Sequence, residues 1–464
     1  MPAQAWRRAC LDAHAQGGQF GGLFASRRVP GAVQVRALFS TPAGEQLITC
    51  EAAERGVDTI VDAIPAAGWD EREAHDLHGI DFAGHEPLRP LLDHQQALEA
   101  WTVPTSGQDV HQVAVGPVHA GVIESGHFRF HVVGERILHL DVRLFYKRRG
   151  LETAATGRPL EDGIAYAQRM CAACSVANTV AYVHACEAAL GCEPDEHVRR
   201  GRTILLELER VYNHLNDVSA ICAGVGFAPG TMAYAALKER VQRLNHRLTR
   251  HRFLFDTVKL GTGSVTLDRD QAAAMRRELA TIRHEHDSYW RELRFVTSLQ
   301  RRLDGVATLS TADAVRLGAV GPVARASGVH RDHRHHSPRL LYHGFAAAVA
   351  PTSSGDVAAR MNQRALELRQ SFDLLDELLC QPAAHGGLQH VRPVSPIGIG
   401  RVESPRGETV CVIENDGGRL AALHLRTGSY ANWPILAHTM AGELLPDFPL
   451  INKSFELCYA CADR

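Results

Sequence analysis

Two Cys-x-x-Cys pairs, Cys171/Cys174 in RMCAACSVAN and Cys458/Cys461 in FELCYACADR, stand almost three hundred residues apart in the chain. A structural zinc ribbon keeps its pairs within about 15–20 residues of each other. Closing a far longer loop costs additional chain entropy, so this spacing favours a site at the heart of a large fold over a local staple. Four thiolates suit a soft or borderline ion such as zinc, iron or nickel. One isolated pair would also fit a thioredoxin-like redox motif, and free cysteine is a common core residue. Two pairs favour metal without naming it. Cys10, Cys50, Cys186, Cys192, Cys222, Cys380 and Cys411 show no comparable pairing and read as core or incidental. The dense cysteine run of a ferredoxin is missing, so any iron–sulfur cluster serving this chain belongs to a partner.

Composition narrows the class. The chain has 464 residues, 45% hydrophobic and 22% charged, enough for a buried core in more than one globular domain. Its 50 Lys and Arg balance 52 Asp and Glu, which argues against a nucleic-acid footprint and puts little repulsion between the chain and protein partners. No apolar run approaches a membrane span, and the start, MPAQAWRRACLDAHAQGG, lacks the apolar core of a secretory signal. Eleven cysteines without such a signal point to a reducing compartment and not to a disulfide framework.

Periodicity gives the layout. AVQVRALFST alternates as a strand does, TPAGEQ turns the chain, and LITCEA continues the sheet. GWDEREAHDLHGI is a short charged helix, and TVPTSGQDVHQVAVGP reads as a linker. HFRFHVVGERILHLDVRLFY is strand-like, while ILLELERVYNHLNDVSAIC and ALKERVQRLNHRLTRHRFLFD carry helical spacing. Further helices are expected over 268–303 and 355–380. Short strands GIGRVES, TVCVIEN and RLAALHL follow, then loops to the end. The expected class is α+β: a small N-terminal α/β domain with its linker over 1–105, then a mainly helical bundle with small peripheral sheets over 106–464.

These segments resemble the large subunit of the membrane-bound, energy-converting (group 4) [NiFe] hydrogenases, formate hydrogenlyase included, which are related to the 49-kDa subunit of respiratory complex I. The resemblance is collinear through GPVHAGVIESGHFRF, RLFYKRRGLE, RMCAACSVANTVAYVHACEAALG, ELERVYNHLNDVSAIC, GPVARASGVHRDHR, SSGDVAARMNQRALELRQS, GIGRVESPRGE and DFPLINKSFELCYACADR. WDEREAHDLHGIDFAGHEPLR is similar to the signature of complex I's 30-kDa subunit. The resemblance implies that Cys171, Cys174, Cys458 and Cys461 ligate nickel. Cys174 and Cys461 would be shared with an iron carrying cyanide and carbonyl ligands. Arg406 would place a guanidinium by the metals, and Glu124 would pass protons away from a thiolate. Arg169 and Asp447 would orient ligands. Asp70, Glu71 and Arg72 would belong to a subunit contact, and His330, His333, His335 and His336 to a solvated loop near an interface. Implied partners are a complex I-like small subunit with a [4Fe–4S] cluster, ferredoxin-like electron carriers and antiporter-like membrane subunits. The implied place is cytoplasmic, on the inner face of the cell membrane.

The chain also departs from the family pattern. The first motif, normally R-x-C-G-x-C-x-x-x-H, has Ala172 for Gly and Asn178 for His. The second, normally D-P-C-x-x-C, has Glu456 and Leu457 ahead of Cys458. Relatives carry a C-terminal extension that a maturation protease removes near the position of Arg464, so this sequence is either the processed form or one encoded without it. The leading expectation is reversible H2 oxidation and proton reduction. The alternatives are a complex I-like coupling or quinone-site subunit without nickel, and a zinc-stabilised scaffold.

Overall fold

The computed structural model describes residues 1–464 apart from 30–31, 42–43, 53–55, 96, 120–123, 263–264, 266, 343–352 and 382–385. At the N-terminus, helix α1 (Ala3–Ala15) packs on an antiparallel sheet of β1 (Gln19–Val29), β2 (Ala32–Thr41) and β3 (Gly44–Ala52). The alternation in β2 sets the packing: Val33, Val35, Ala37 and Phe39 point to one face and join Trp6 and Cys10 of α1 in a core. Leu38 points the other way and, with Phe24, packs on Val410 and Val412 of the C-terminal part.

Helix α2 (Gly68–His78) ends on Gly79, whose φ of +69° suits glycine. Its acidic residues Asp70 and Glu71, expected at a subunit contact, face into this chain. Asp70 is buried and accepts from Arg426 Nε at 2.9 Å, and Glu71 accepts from the Ile60 N–H at 2.8 Å. Arg72 donates to the carbonyls of Arg89 and Pro90. These groups are internal ties, which the charged helix pattern does not distinguish from a solvated face.

A second antiparallel sheet holds β4 (Val110–Val115), β5 (His127–Val133) and β6 (Arg136–Arg143). The expected linker therefore contains a strand, paired Val113↔Phe130 with β5. Its residues are mostly exposed, so the apolar alternation that marks a strand is weak there. The helical body follows as α3 (Ser175–Leu190), α4 (Glu196–Gly224), α5 (Ala228–Thr249), α6 (Arg269–Phe295) and α7 (Val357–Leu378). Asp195 caps α4 through the Val198 N–H, and Asp268 with Gln271 forms a capping box on α6.

The third sheet is β7 (Ile397–Ser404), β8 (Gly407–Asp416) and β9 (Arg419–Arg426). The stretch after it, expected as loop, forms α8 (Gly428–Thr439) and α9 (Phe448–Phe455). Helix α8 is buried almost throughout and carries Pro434 inside it, so it shows neither an amphipathic period nor a proline-free run. Strand β7 lies directly on α3. A Cβ on Gly398 would fall 1.9 Å from Ala185 O, and one on Gly400 1.9 Å from Ala181 O. Two strand residues advance about 6.6 Å and four helix residues about 6 Å, so strand and helix run antiparallel at matched pitch. That register carries the end of β7, and the turn holding Arg406, to the start of α3 beside Cys174.

His286 of α6 is fully buried and shares a 3.1 Å hydrogen bond with Tyr234 Oη of α5. Burial pushes its pKa down to about 4. The unfolded chain therefore takes up a proton near pH 6.5 that the folded chain refuses until about pH 4. Stability contributed here is complete above pH 6.5 and falls as pH drops, by up to about 1.4 kcal/mol per pH unit. Urea titrations at pH 7 and pH 5 are expected to show this loss in the native chain and a smaller loss in His286→Gln.

Candidate metal centre

The first cysteine pair is held by one face of α4. Cys174 is the N-cap of α3. Tyr212 Oη and Asn213 Nδ2 both donate to the Ala173 carbonyl, at 3.0 and 2.8 Å, and Glu209 accepts from the N–H groups of Val176 and Ala177 at 2.7 and 3.0 Å. Positions 209, 212 and 213 share a helix face, so a single stripe of α4 fixes the Cys-x-x-Cys turn. Burial pushes the Glu209 carboxyl up to about 8. Ala172 is exposed and does not adopt a positive φ, so replacing the family's glycine there imposes no left-handed strain.

The second pair is held by the start of α8. The Cys458 N–H donates to Ser429 Oγ at 3.0 Å, and the Cys461 carbonyl accepts from Thr427 Oγ1 at 3.2 Å. Glu456, at φ +49°, ends α9 in the left-handed region and accepts from Asn216 Nδ2 at 2.9 Å. Burial raises its carboxyl to about 7.

The structure brings the four thiols together, with all four sulfurs within 4.8 Å of one another and Cys174 Sγ 4.0 Å from Cys458 Sγ. Cys171, Cys174 and Cys461 are buried, Cys458 is partly open, and none forms a disulfide. The three neighbouring thiols, helped by the Arg406 charge, hold Cys458 well below its ordinary pKa. Among the described residues this is the one grouping of three or more His, Cys, Asp or Glu with metal-binding geometry.

Arg406 is 4% exposed and doubly anchored: Nη1 lies 2.5 Å from Asp217 Oδ2, and Nη2 donates to Asn213 Oδ1 at 3.1 Å. Asp217 also takes Arg364 Nε at 2.9 Å. Burial alone would raise its carboxyl, but Arg406, His214 and Arg364 outweigh that and hold it far below the usual range. Arg364 Nη2 further donates to the Phe455 carbonyl at 3.0 Å, tying this ion cluster to the segment that leads into Cys458. Glu124 is half-buried and accepts from the Ala460 N–H, and burial raises its pKa.

Other expected site residues fall elsewhere. The Arg169 side chain is exposed while its carbonyl accepts from Arg149. Asp447 pairs with Arg302 at 2.9 Å. The histidine-rich segment is not simply a solvated loop: Asp332 and Arg334 are buried and paired at 2.6 Å, and His333 faces Glu408 at 3.5 Å. His330 and His335 are exposed, and the His336 side chain lies outside the described residues. Residues the sequence reading missed are Glu209, Tyr212, Asn213, Asp217 and Arg364. The available signal for the first four was a polar stripe spaced at 3 to 4 along α4, while Arg364 lies on α7 and shows none.

The donors fit a bimetallic thiolate centre. All four are soft, and on the same segments both amide atoms of Asn178, Asp217 Oδ1 and Arg406 Nε are buried without a hydrogen-bond partner among the described residues. Native interiors leave few such atoms orphaned, so these positions have room for hydrogen bonds to a group bound at the cysteines.

Comparison with known proteins agrees. Residues 149–219 match the nickel-dependent hydrogenase family. Residues 224–396 and 388–464 match the respiratory-chain NADH dehydrogenase 49 Kd subunit, and 27–104 its 30 Kd subunit. Formate hydrogenlyase subunit 5 of Escherichia coli is 29% identical, over 88% of this chain and 76% of that protein. The carbon monoxide-induced hydrogenase of Rhodospirillum rubrum is 30% identical, over 76% of this chain and 99% of that one. The fold is shared with a chain of an archaeal membrane-bound sulfane sulfur reductase, at TM-score 0.69 and 24% identity, covering 77% of this chain and 99% of that one. No described helix is long and apolar enough to cross a membrane. Matched along its length by these profiles and relatives, the chain belongs to the membrane-bound hydrogenase large subunits, the family related to the 49- and 30-kDa subunits of respiratory complex I.

Proposed function

We propose that this chain is the catalytic large subunit of a membrane-associated [NiFe] hydrogenase that interconverts H2 with protons and electrons. The observation that carries the reading is the convergence of four thiols, from both ends of the large domain, within 4.8 Å beside an anchored guanidinium. Cys171, Cys174, Cys458 and Cys461 would hold nickel, and Cys174 and Cys461 would share it with an iron bearing cyanide and carbonyl. When bound, that centre supplies soft, electron-rich metals at which H2 is split heterolytically.

The chain's own part is electrostatic and protonic. Arg406 keeps its charge at any working pH, and Asp217 and Asn213 fix its two tips, so it presents a cation without reorganising. That cation favours the thiolate form of Cys458. Glu124, bonded to the backbone between the two C-terminal cysteines, stands to take a proton from Cys458 Sγ. Lys147 and Arg149, exposed nearby, mark the way to solvent. Electrons leave to a [4Fe–4S] cluster in a complex I-like small subunit. Ferredoxin-like and antiporter-like subunits complete the complex on the inner face of the cell membrane.

A second reading, a complex I-like coupling or quinone-site subunit without nickel, draws on Asn178 and Leu457, where family groups are absent. Elemental analysis with infrared spectroscopy on the isolated complex separates the two. Nickel and iron in equal amounts, with cyanide and carbonyl bands, are expected. Zinc alone, or no metal, sinks the hydrogenase reading.

A further inference from the structure

Asn178 is 0% exposed, and neither Nδ2 nor Oδ1 has a hydrogen-bond partner among the described residues. Three other polar side chains on α3 are satisfied, while the buried His184 Nε2 is not. Ser175 Oγ donates to the Phe253 carbonyl, Thr179 Oγ1 to the Ser175 carbonyl, and Glu187 receives both tips of Arg202. A buried polar group left unpaired costs free energy comparable to a lost hydrogen bond, and Asn178 leaves two.

The direction of the side chain follows from helix stereochemistry. Helical side chains lean toward the N-terminus and cover the turn before their own Cα. Asn178 lies one turn after Cys174, with its N–H bonded to the Cys174 carbonyl at 3.0 Å. Its amide is therefore aimed back over the first turn of α3, where the cysteine pair sits. Farther along the same face of α3, Ala181 and Ala185 are covered by the backbone of β7 at Gly400 and Gly398. Cys174 Sγ is not within hydrogen-bonding reach of the amide.

We propose that Asn178 is a cofactor-contacting residue whose amide N–H donates to a small anionic ligand on the iron of the centre. This rests on the nickel–iron reading. The family's usual imidazole at this position gives way to a shorter amide with a donor and an acceptor side by side. Donation from the amide draws electron density away from the iron, so the residue tunes the centre without supplying a ligand to it.

The test uses the isolated complex and three chains: native, Asn178→Leu and Asn178→His. Leucine keeps the number and branching of side-chain heavy atoms and removes both polar atoms, and histidine restores a donor. With the centre loaded, N178L is expected to shift the carbonyl band to lower wavenumber and one cyanide band more than the other. N178H is expected to move them back toward native positions. In the metal-free chain N178L is expected to raise the thermal midpoint, because the orphaned amide is gone. Native bands that stay put in N178L overturn this inference alone. Absence of cyanide and carbonyl bands from the native complex overturns it together with the hydrogenase reading.

Discussion

Cys174→Ser is expected to leave a folded chain with nickel and iron reduced on the order of 100-fold or more, beyond what loss of an outer partner costs. A serine hydroxyl is too weak an acid to give the anion that a thiolate supplies, and it is a hard donor in a soft set. The 1% exposed Cys174 lies 4.0 Å from Cys458, on the far side of the loop that the centre closes. The control is Cys380→Ser, at an exposed cysteine outside the cluster, which is expected to keep full metal. Inductively coupled plasma analysis of both proteins decides the matter, and a metal-replete C174S chain would mean that the four thiols are not the ligands.

Gly400→Ala is expected to lower stability by about 3 kcal/mol, the upper end of ordinary overpacking. Its Cβ would stand 1.9 Å from Ala181 O and 2.6 Å from Ala185 N. Those are backbone atoms of a helix buried nearly throughout, so no flexible side chain can yield. Strand β7 and α3 must part, and α3 carries Cys174 at its first turn. The variant is therefore expected to bind less metal as well as to melt lower. Gly116→Ala, where a Cβ meets nothing within 4 Å, is the neutral comparison. Thermal midpoints of the two, measured metal-free, would fall together only if the close approach of β7 to α3 is absent in solution.

Much of this arrangement is readable from residue order. The alternation of β2 and the 3.6-residue spacing of α4 and α5 announce their elements, because each buries one face and solvates the other. Helix α8 does not announce itself, since it buries all sides. Nor does β4, which buries almost none. The two cysteine pairs declare themselves by spacing. Asp217 does not: a lone acid in a long helical run looks solvated until Arg406, Arg364 and His214 are seen to converge on it. The same limit hides Asp70, whose partner Arg426 lies over three hundred residues away. Long-range ion pairs leave no local period, and the sequence pattern is blind to them.

Strand β8 is covered on both sides, with Cys411 and Ile413 turned to the helical core and Val410 and Val412 to Phe24 and Leu38 of the N-terminal sheet. Arg36 adds a 2.6 Å pair with Glu414, and Arg401 bonds Ser40 Oγ at 2.7 Å. The N-terminal domain is thus a backing plate for the hairpin whose tip bears Arg406. Excising it would bare an apolar strip and strand Glu414 without its cation, a break of the kind that costs about 3–5 kcal/mol. Joining plate and hairpin in one polypeptide keeps the plate at a high effective concentration. A relative that carries the two on separate chains must hold that same hairpin in register by affinity alone.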